Sequence, residues 1–158
     1  MIKMKKDSLT INHGFTLVEL LVVISVLGIL ASIVLVSFGG SQKQARDTQR
    51  KSDLKQYQNS LEAYANKSNG FYPQRTSATV ASTTLCNDLA LTTCPKDPKD
   101  PTYFYYYISD GSGVAGSASG TKYVLWASLE NTTGFWVVCS NGKSAVSVSA
   151  PYSSTCPI

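Results

Sequence analysis

The chain has 158 residues, a formal net charge of +4, four cysteines and one histidine. That is room for one domain of ordinary size, with too little charge to imply a nucleic-acid partner by itself. With no C-x-x-C pair, nucleophile motif or phosphate-binding glycine loop beside the lone His13, no convergent catalytic set is present and an enzyme is not expected.

The average composition hides a split. Lys3, Lys5 and Lys6 precede an apolar run from Phe15 to Phe38, FTLVELLVVISVLGILASIVLVSF, in which Glu19 is the only charged residue. As a helix this run is about 36 Å long, enough to cross a bilayer core of about 30 Å. A secretory signal has an apolar core of only about 7–15 residues, so this run is too long for one, although Ser37 and Gly39 offer a weak cleavage site. A plain single-span anchor is a second reading.

A third reading explains more of the residues. Gly14-Phe15-Thr16-Leu17-Val18-Glu19-Leu20, behind the short basic leader, resembles the class III signal of type IV prepilins and type II secretion pseudopilins. The resemblance implies that a prepilin peptidase cuts after Gly14 on the cytoplasmic side and N-methylates Phe15, so that the apolar helix stays in the mature protein. It also implies that Glu19 serves subunit assembly by neutralising the amino terminus of a neighbouring copy. Physics agrees: an ionisable group in a membrane helix costs about 2.5–3.5 kcal/mol at the bilayer centre and less near the interface, and needs a partner. A chance interfacial glutamate is the alternative. The basic residues after the span, Lys43, Arg46, Arg50, Lys51 and Lys55, outnumber the leader lysines. Counted alone they would hold the C-terminal part in the cytoplasm; the leader motif and the cysteines place it outside.

No proline or glycine interrupts Ser41 to Lys67. Leu54, Tyr57, Leu61, Tyr64 and Ala65 recur at helical spacing opposite Lys55, Asn59, Glu62 and Asn66, so one helix from about Phe15 to Lys67 is expected, apolar first and amphipathic afterwards. Gly28, Gly39 and Gly40 weaken it by about 1 kcal/mol each relative to alanine. Many pilins carry a helix-breaking proline in this stretch, and this chain departs from them in having none. Lys43, Arg46 and Arg50 share a face, read as a solvated or headgroup-facing patch, or as a contact for acidic residues of neighbouring copies or for DNA.

Asn69-Gly70-Phe71-Tyr72-Pro73 ends the helix with turn residues. A Ser/Thr/Pro-rich loop follows, with a helical turn expected between Leu85 and Leu91. Thr102–Ser109 and Lys122–Glu130 read as strands, separated by the flexible tract DGSGVAGSASGT. Phe135–Ser140 and Lys143–Ser149 flank Asn141-Gly142, a signal for a two-residue type I′ hairpin. The expected class is α+β: a long N-terminal helix on an antiparallel sheet of about four strands. Cys86, Cys94, Cys139 and Cys156 allow three pairings. Cys86–Cys94 with Cys139–Cys156 is favoured because each closes a short local loop, and four reduced thiols are the alternative.

Pro95-Lys96-Asp97-Pro98 and Tyr123-Val124-Leu125-Trp126-Ala127-Ser128-Leu129-Glu130 are similar to heads of major pseudopilins and some short pilins, and Cys139 to Cys156 resembles the C-terminal disulfide loop of type IV pilins. The resemblance implies calcium as a weak cofactor candidate, with Asp97, Asp100 and Asp110 as its ligands or else as solvated loop carboxylates. The tyrosines of the first strand invite an adhesion role, against a plain core role. Asn66-Lys67-Ser68 and Asn131-Thr132-Thr133 match a glycosylation sequon with many chance occurrences.

The expected organisation is a cleaved leader at 1–14, a transmembrane and assembly helix at 15–40, its amphipathic half at 41–68 and a globular head at 69–158. The expected function is that of a pilin, the structural subunit of a type IV pilus-like filament, with a type II secretion pseudopilin and a monomeric membrane-anchored binding module as alternatives. The expected partners are copies of the chain, the prepilin peptidase, an inner-membrane assembly platform and the membrane. The expected location is the inner membrane before assembly and a surface filament afterwards, with the head outside the cytoplasm.

Overall fold

The computed structural model describes residues 14–158; Lys3, Lys5, Lys6 and His13, and with them the leader up to Gly14, lie outside the described residues. The architecture is α+β, one N-terminal helix followed by an antiparallel sheet. Helix α1, Leu17–Lys67, runs for 51 residues without a proline. It stops where Asn69 adopts a left-handed φ of 54° and the Gly70 N–H turns back to the Ala65 carbonyl at 2.8 Å. This six-to-one closure satisfies a terminal carbonyl, and asparagine tolerates the left-handed position better than most residues.

The chain divides at Gly39–Gly40 into two compact units. In the first, the described large apolar side chains are exposed, Phe15 and Leu17 each to 87%. Among the described residues no single helix is long and apolar enough to cross a membrane. Leu17–Ile33 and Phe38–Lys67 taken together have the length and composition for it.

The second unit holds the sheet. Strands β2 (Thr79–Val80), β3 (Tyr105–Ser109), β5 (Tyr123–Ser128), β6 (Phe135–Cys139) and β7 (Ser144–Ser147) form one five-stranded antiparallel sheet in that order. Strands β1 (Tyr72–Pro73) and β4 (Ala118–Gly120) form a separate pair. The register sets Tyr105 opposite Ala127 and Tyr107 opposite Leu125. Because side chains alternate along a strand, these residues and Tyr123 face α1, where they bury Leu54, Tyr57 and Leu61. Tyr106, Ile108, Val124, Trp126 and Val137 form a second apolar cluster with Cys139 and the C-terminal Cys156 and Ile158.

The expected antiparallel sheet is present, and Thr79–Val80, inside the Ser/Thr loop, adds a fifth strand at the edge beside β3. Three expectations need correction. The tract read as flexible ends in β4, paired with β1. The Asn141-Gly142 turn is not type I′, which needs positive φ at both central residues: Gly142 has φ 83° and Asn141 does not. Instead Ser140, Asn141 and Gly142 form a three-residue loop, closed by Gly142 N to Cys139 O at 3.0 Å and Cys139 N to Lys143 O at 3.0 Å. The Asn141 side chain accepts the Lys143 N–H at 3.0 Å. Strand β3 starts only at Tyr105, since a turn donates Thr102 N to Lys99 O at 2.7 Å. The short helix α2, Cys86–Asp88, follows one π-helical turn at Ala81–Leu85.

Candidate assembly site

Helix α1 opens on a reciprocal cap. The Glu19 N–H donates to Thr16 Oγ1 at 3.2 Å, while Glu19 Oε2 accepts the Thr16 N–H at 2.9 Å and the Thr16 hydroxyl at 2.8 Å. The Leu20 N–H reaches the Thr16 carbonyl at 3.2 Å. Thr16 is thus the N-cap and Glu19 the third helical residue of a capping box, which satisfies amides that would otherwise lack partners at the helix start. The pattern Thr-x-x-Glu is visible in the sequence, so the signal for this cap was present. A carboxylate at this end also complements the helix dipole. Gly14 has open space where a side chain would stand, so no described residue requires glycine there.

Beyond Gly40 the charges do something the helical face pattern did not indicate. Arg46 and Arg50 do not form a solvated patch with Lys43. The Arg50 guanidinium is fully buried: it grips Asp97 at 2.7 and 2.9 Å, Asp47 at 2.9 Å and Glu130 at 2.7 Å. Arg46 makes a two-pronged pair with the same Glu130 at 2.9 and 2.7 Å, and Lys99 reaches it at 2.8 Å. Hydrogen bonds from Arg46 hold the Glu130 carboxyl well below the usual range against its burial, helped by Lys99 and Arg50. Asp47 in turn accepts the backbone N–H of Glu130 at 2.9 Å and of Asn131 at 2.8 Å. Only the Asp47/Arg50 spacing of three along a helix hinted at this network.

Three acid–tyrosine bonds seat α1 on the strands. Tyr105 donates to Asp53 at 2.6 Å, and Tyr72 and Tyr123 donate to Glu62 at 3.0 and 2.9 Å. Glu62, read as lying on the outer face, is therefore partly buried and engaged. Tyr57 donates to the Pro95 carbonyl at 2.7 Å. Burial pushes the Tyr72 phenol up to about 12, with Glu62 adding to the shift. The tyrosines considered for adhesion are largely core: Tyr105 and Tyr107 are buried, and Tyr106 stacks on Trp126 at 5.5 Å.

Cys86 is bonded to Cys94 and Cys139 to Cys156, with Cα separations of 6.0 and 5.8 Å. The three carboxylates considered for calcium are not brought together. Asp97 is held by Arg50. Asp100 lies 3.8 Å from Lys96. Asp110 accepts the Thr121 hydroxyl at 2.6 Å and the Lys122 N–H at 2.8 Å. Among the described residues no group of three or more His, Cys, Asp or Glu side chains is placed to hold a metal ion.

Residues 10–35 match the family model described as the prokaryotic N-terminal methylation motif. The chain carries a prepilin-type N-terminal motif. It is also 42% identical over 53 residues to the type II secretion system core protein G of Aeromonas hydrophila. That stretch is 34% of this chain and spans 37% of the relative. No solved structure matches the chain.

Proposed function

We infer that the chain is a pilin, the structural subunit of a type IV pilus-like filament, assembled through its apolar helix after a prepilin peptidase removes residues 1–14. The observation that carries this reading is a capped helix with exposed large apolar side chains, starting directly behind Gly14. Such a surface is stable only against lipid or against other apolar helices. Cleavage after Gly14 puts the new α-amino group on Phe15, next to the carboxylate that caps the helix. Glu19 then has two uses: it starts its own helix, and it supplies the negative charge that registers the amino terminus of the next copy. The peptidase, the inner-membrane platform and the bilayer are the partners of this pathway. The head lies outside the cytoplasm, in keeping with its two disulfides.

The test has two stages. Intact-mass and N-terminal mass spectrometry of the protein from its native membrane should find a chain beginning at N-methylated Phe15. An uncut chain, or one cut near Gly39, overturns the reading. Glu19→Val should then be processed normally and fail to assemble; normal filaments from that variant overturn the role of Glu19.

A second reading, a pseudopilin of a type II secretion system, is favoured by the similarity to core protein G. Sheared surface fractions decide between them. Micrometre-scale filaments containing the chain belong to a pilin, and their absence, with a secretion defect on deletion, to a pseudopilin.

A further inference from the structure

Three carboxylates from three separate segments converge on one buried point: Asp47 from α1, Asp97 from the loop before β3 and Glu130 from the connection after β5. Convergent carboxylates of this kind ordinarily need a cation, because bringing negative charges together out of water is costly unless they are neutralised. Here the cation is a side chain. Arg50 Nε and Nη2 hold both oxygens of Asp97, Nη1 holds Asp47 Oδ1, and Nη2 also reaches Glu130 Oε1. The remaining valences are closed as well. Asp47 Oδ2 accepts the Asn131 N–H, Asp97 Oδ1 the Lys99 N–H at 2.8 Å, and Glu130 Oε2 both Arg46 and Lys99. The Tyr103 ring covers the guanidinium, its centroid 5.4 Å from the central carbon.

Every carboxylate oxygen of the cluster thus has a donor. The three negative charges of Asp47, Asp97 and Glu130 meet the three positive charges of Arg50, Arg46 and Lys99. The guanidinium suits this role because its planar fork presents several donors in fixed directions and never loses its charge. A metal ion entering here would have to displace a side chain that is fully buried and bonded on three sides.

We propose that Arg50 is the built-in cation of the head, doing for the 95–101 and 129–134 loops what an exchangeable divalent ion does in a carboxylate cage, so that these loops keep their conformation without calcium. The consequence is a head that holds its shape at any external calcium level. The same geometry predicts what happens when the internal cation is removed: Asp47 and Asp97 lose their shared counter-ion and become a site that an external divalent ion can fill.

The experiment uses the full chain in detergent, with thermal unfolding followed by the fluorescence of Trp126 and Trp136, both in the head. The wild-type midpoint should be the same in millimolar calcium chloride and in chelator. Arg50→Gln should melt lower in chelator and recover part of the loss as calcium is added. Arg50→Gln with Asp97→Asn, which removes one charge of each sign, should fold and show no calcium response. A wild-type midpoint that rises with calcium overturns the proposal, as does an Arg50→Gln midpoint indifferent to it. If Arg50→Gln does not fold in chelator, folding on adding calcium supports the proposal, and failure to fold at any calcium level overturns it.

Discussion

Asp53 and Tyr105 meet in the seam between α1 and β3, the phenol donating to the carboxylate at 2.6 Å with both groups buried. Burial pushes the Asp53 carboxyl above its ordinary value; the Tyr105 bond opposes the shift and nearby Asp97 adds to it. A raised folded value means that the native state holds the proton more tightly than the unfolded chain. The associated stability is therefore complete below the unfolded value of about 4 and is lost as pH rises through the folded one. Compared with Asp53→Asn, the wild type should be relatively most stable at acid pH and lose ground towards neutrality. Urea midpoints read by tryptophan fluorescence across this range test it, and a gap independent of pH would count against the shift. Tyr105→Phe should cost about 1–3 kcal/mol, since it leaves a buried acceptor without its donor.

Glu130 runs the other way. Arg46, Lys99 and Arg50 hold its carboxyl below the usual range, so its contribution is present above the unfolded value and lost as pH falls. Wild type should exceed Glu130→Gln in stability at neutral pH, and the two should converge as acid is added below about pH 5. Curves that stay parallel would show that the ion pairs do not hold the charge in solution.

Much of this architecture is legible from spacing. The apolar run, the helix to Lys67 and the alternation of Tyr105, Tyr107, Leu125 and Ala127 follow from periods of 3.6 and 2, which local chemistry sets. What escaped has a common physical cause. Strand β2 is two residues long and owes its conformation to β3 rather than to its own propensity. The destinations of Arg46 and Arg50 depend on carboxylates 47 and 84 positions away in sequence, which no helical face pattern reveals. The Asn-Gly turn misled for a subtler reason: the same dipeptide serves two-residue and three-residue loops, and the β6–β7 register selects between them.

The Cys139–Cys156 bond joins the end of β6 to a C-terminal segment that packs on the outer face of the sheet through Cys156 and Ile158. With a sequence separation of 17, the chain-entropy model assigns it about 3 kcal/mol. Cys139→Ser with Cys156→Ser should lower unfolding stability by about that amount and make the last residues susceptible to protease first. A double variant as resistant as wild type would mean that apolar packing alone holds the segment.

Gly134 and Gly142 both have positive φ, 133° and 83°, but only one is crowded. An added Cβ at Gly142 meets open space, whereas at Gly134 it would stand 2.5 Å from the Ser147 carbonyl oxygen. That contact lies where Phe135 pairs with Ser147, at the start of the β6–β7 ladder. Gly142→Ala should therefore cost only the left-handed backbone penalty, about 1–2 kcal/mol. Gly134→Ala must add displacement of a strand to a comparable penalty, and should lose at least about 2 kcal/mol more. Denaturant midpoints of the two variants check the ordering. Equal losses would show that the edge strand yields freely at Ser147 and that β7 is not anchored by its pair with Phe135.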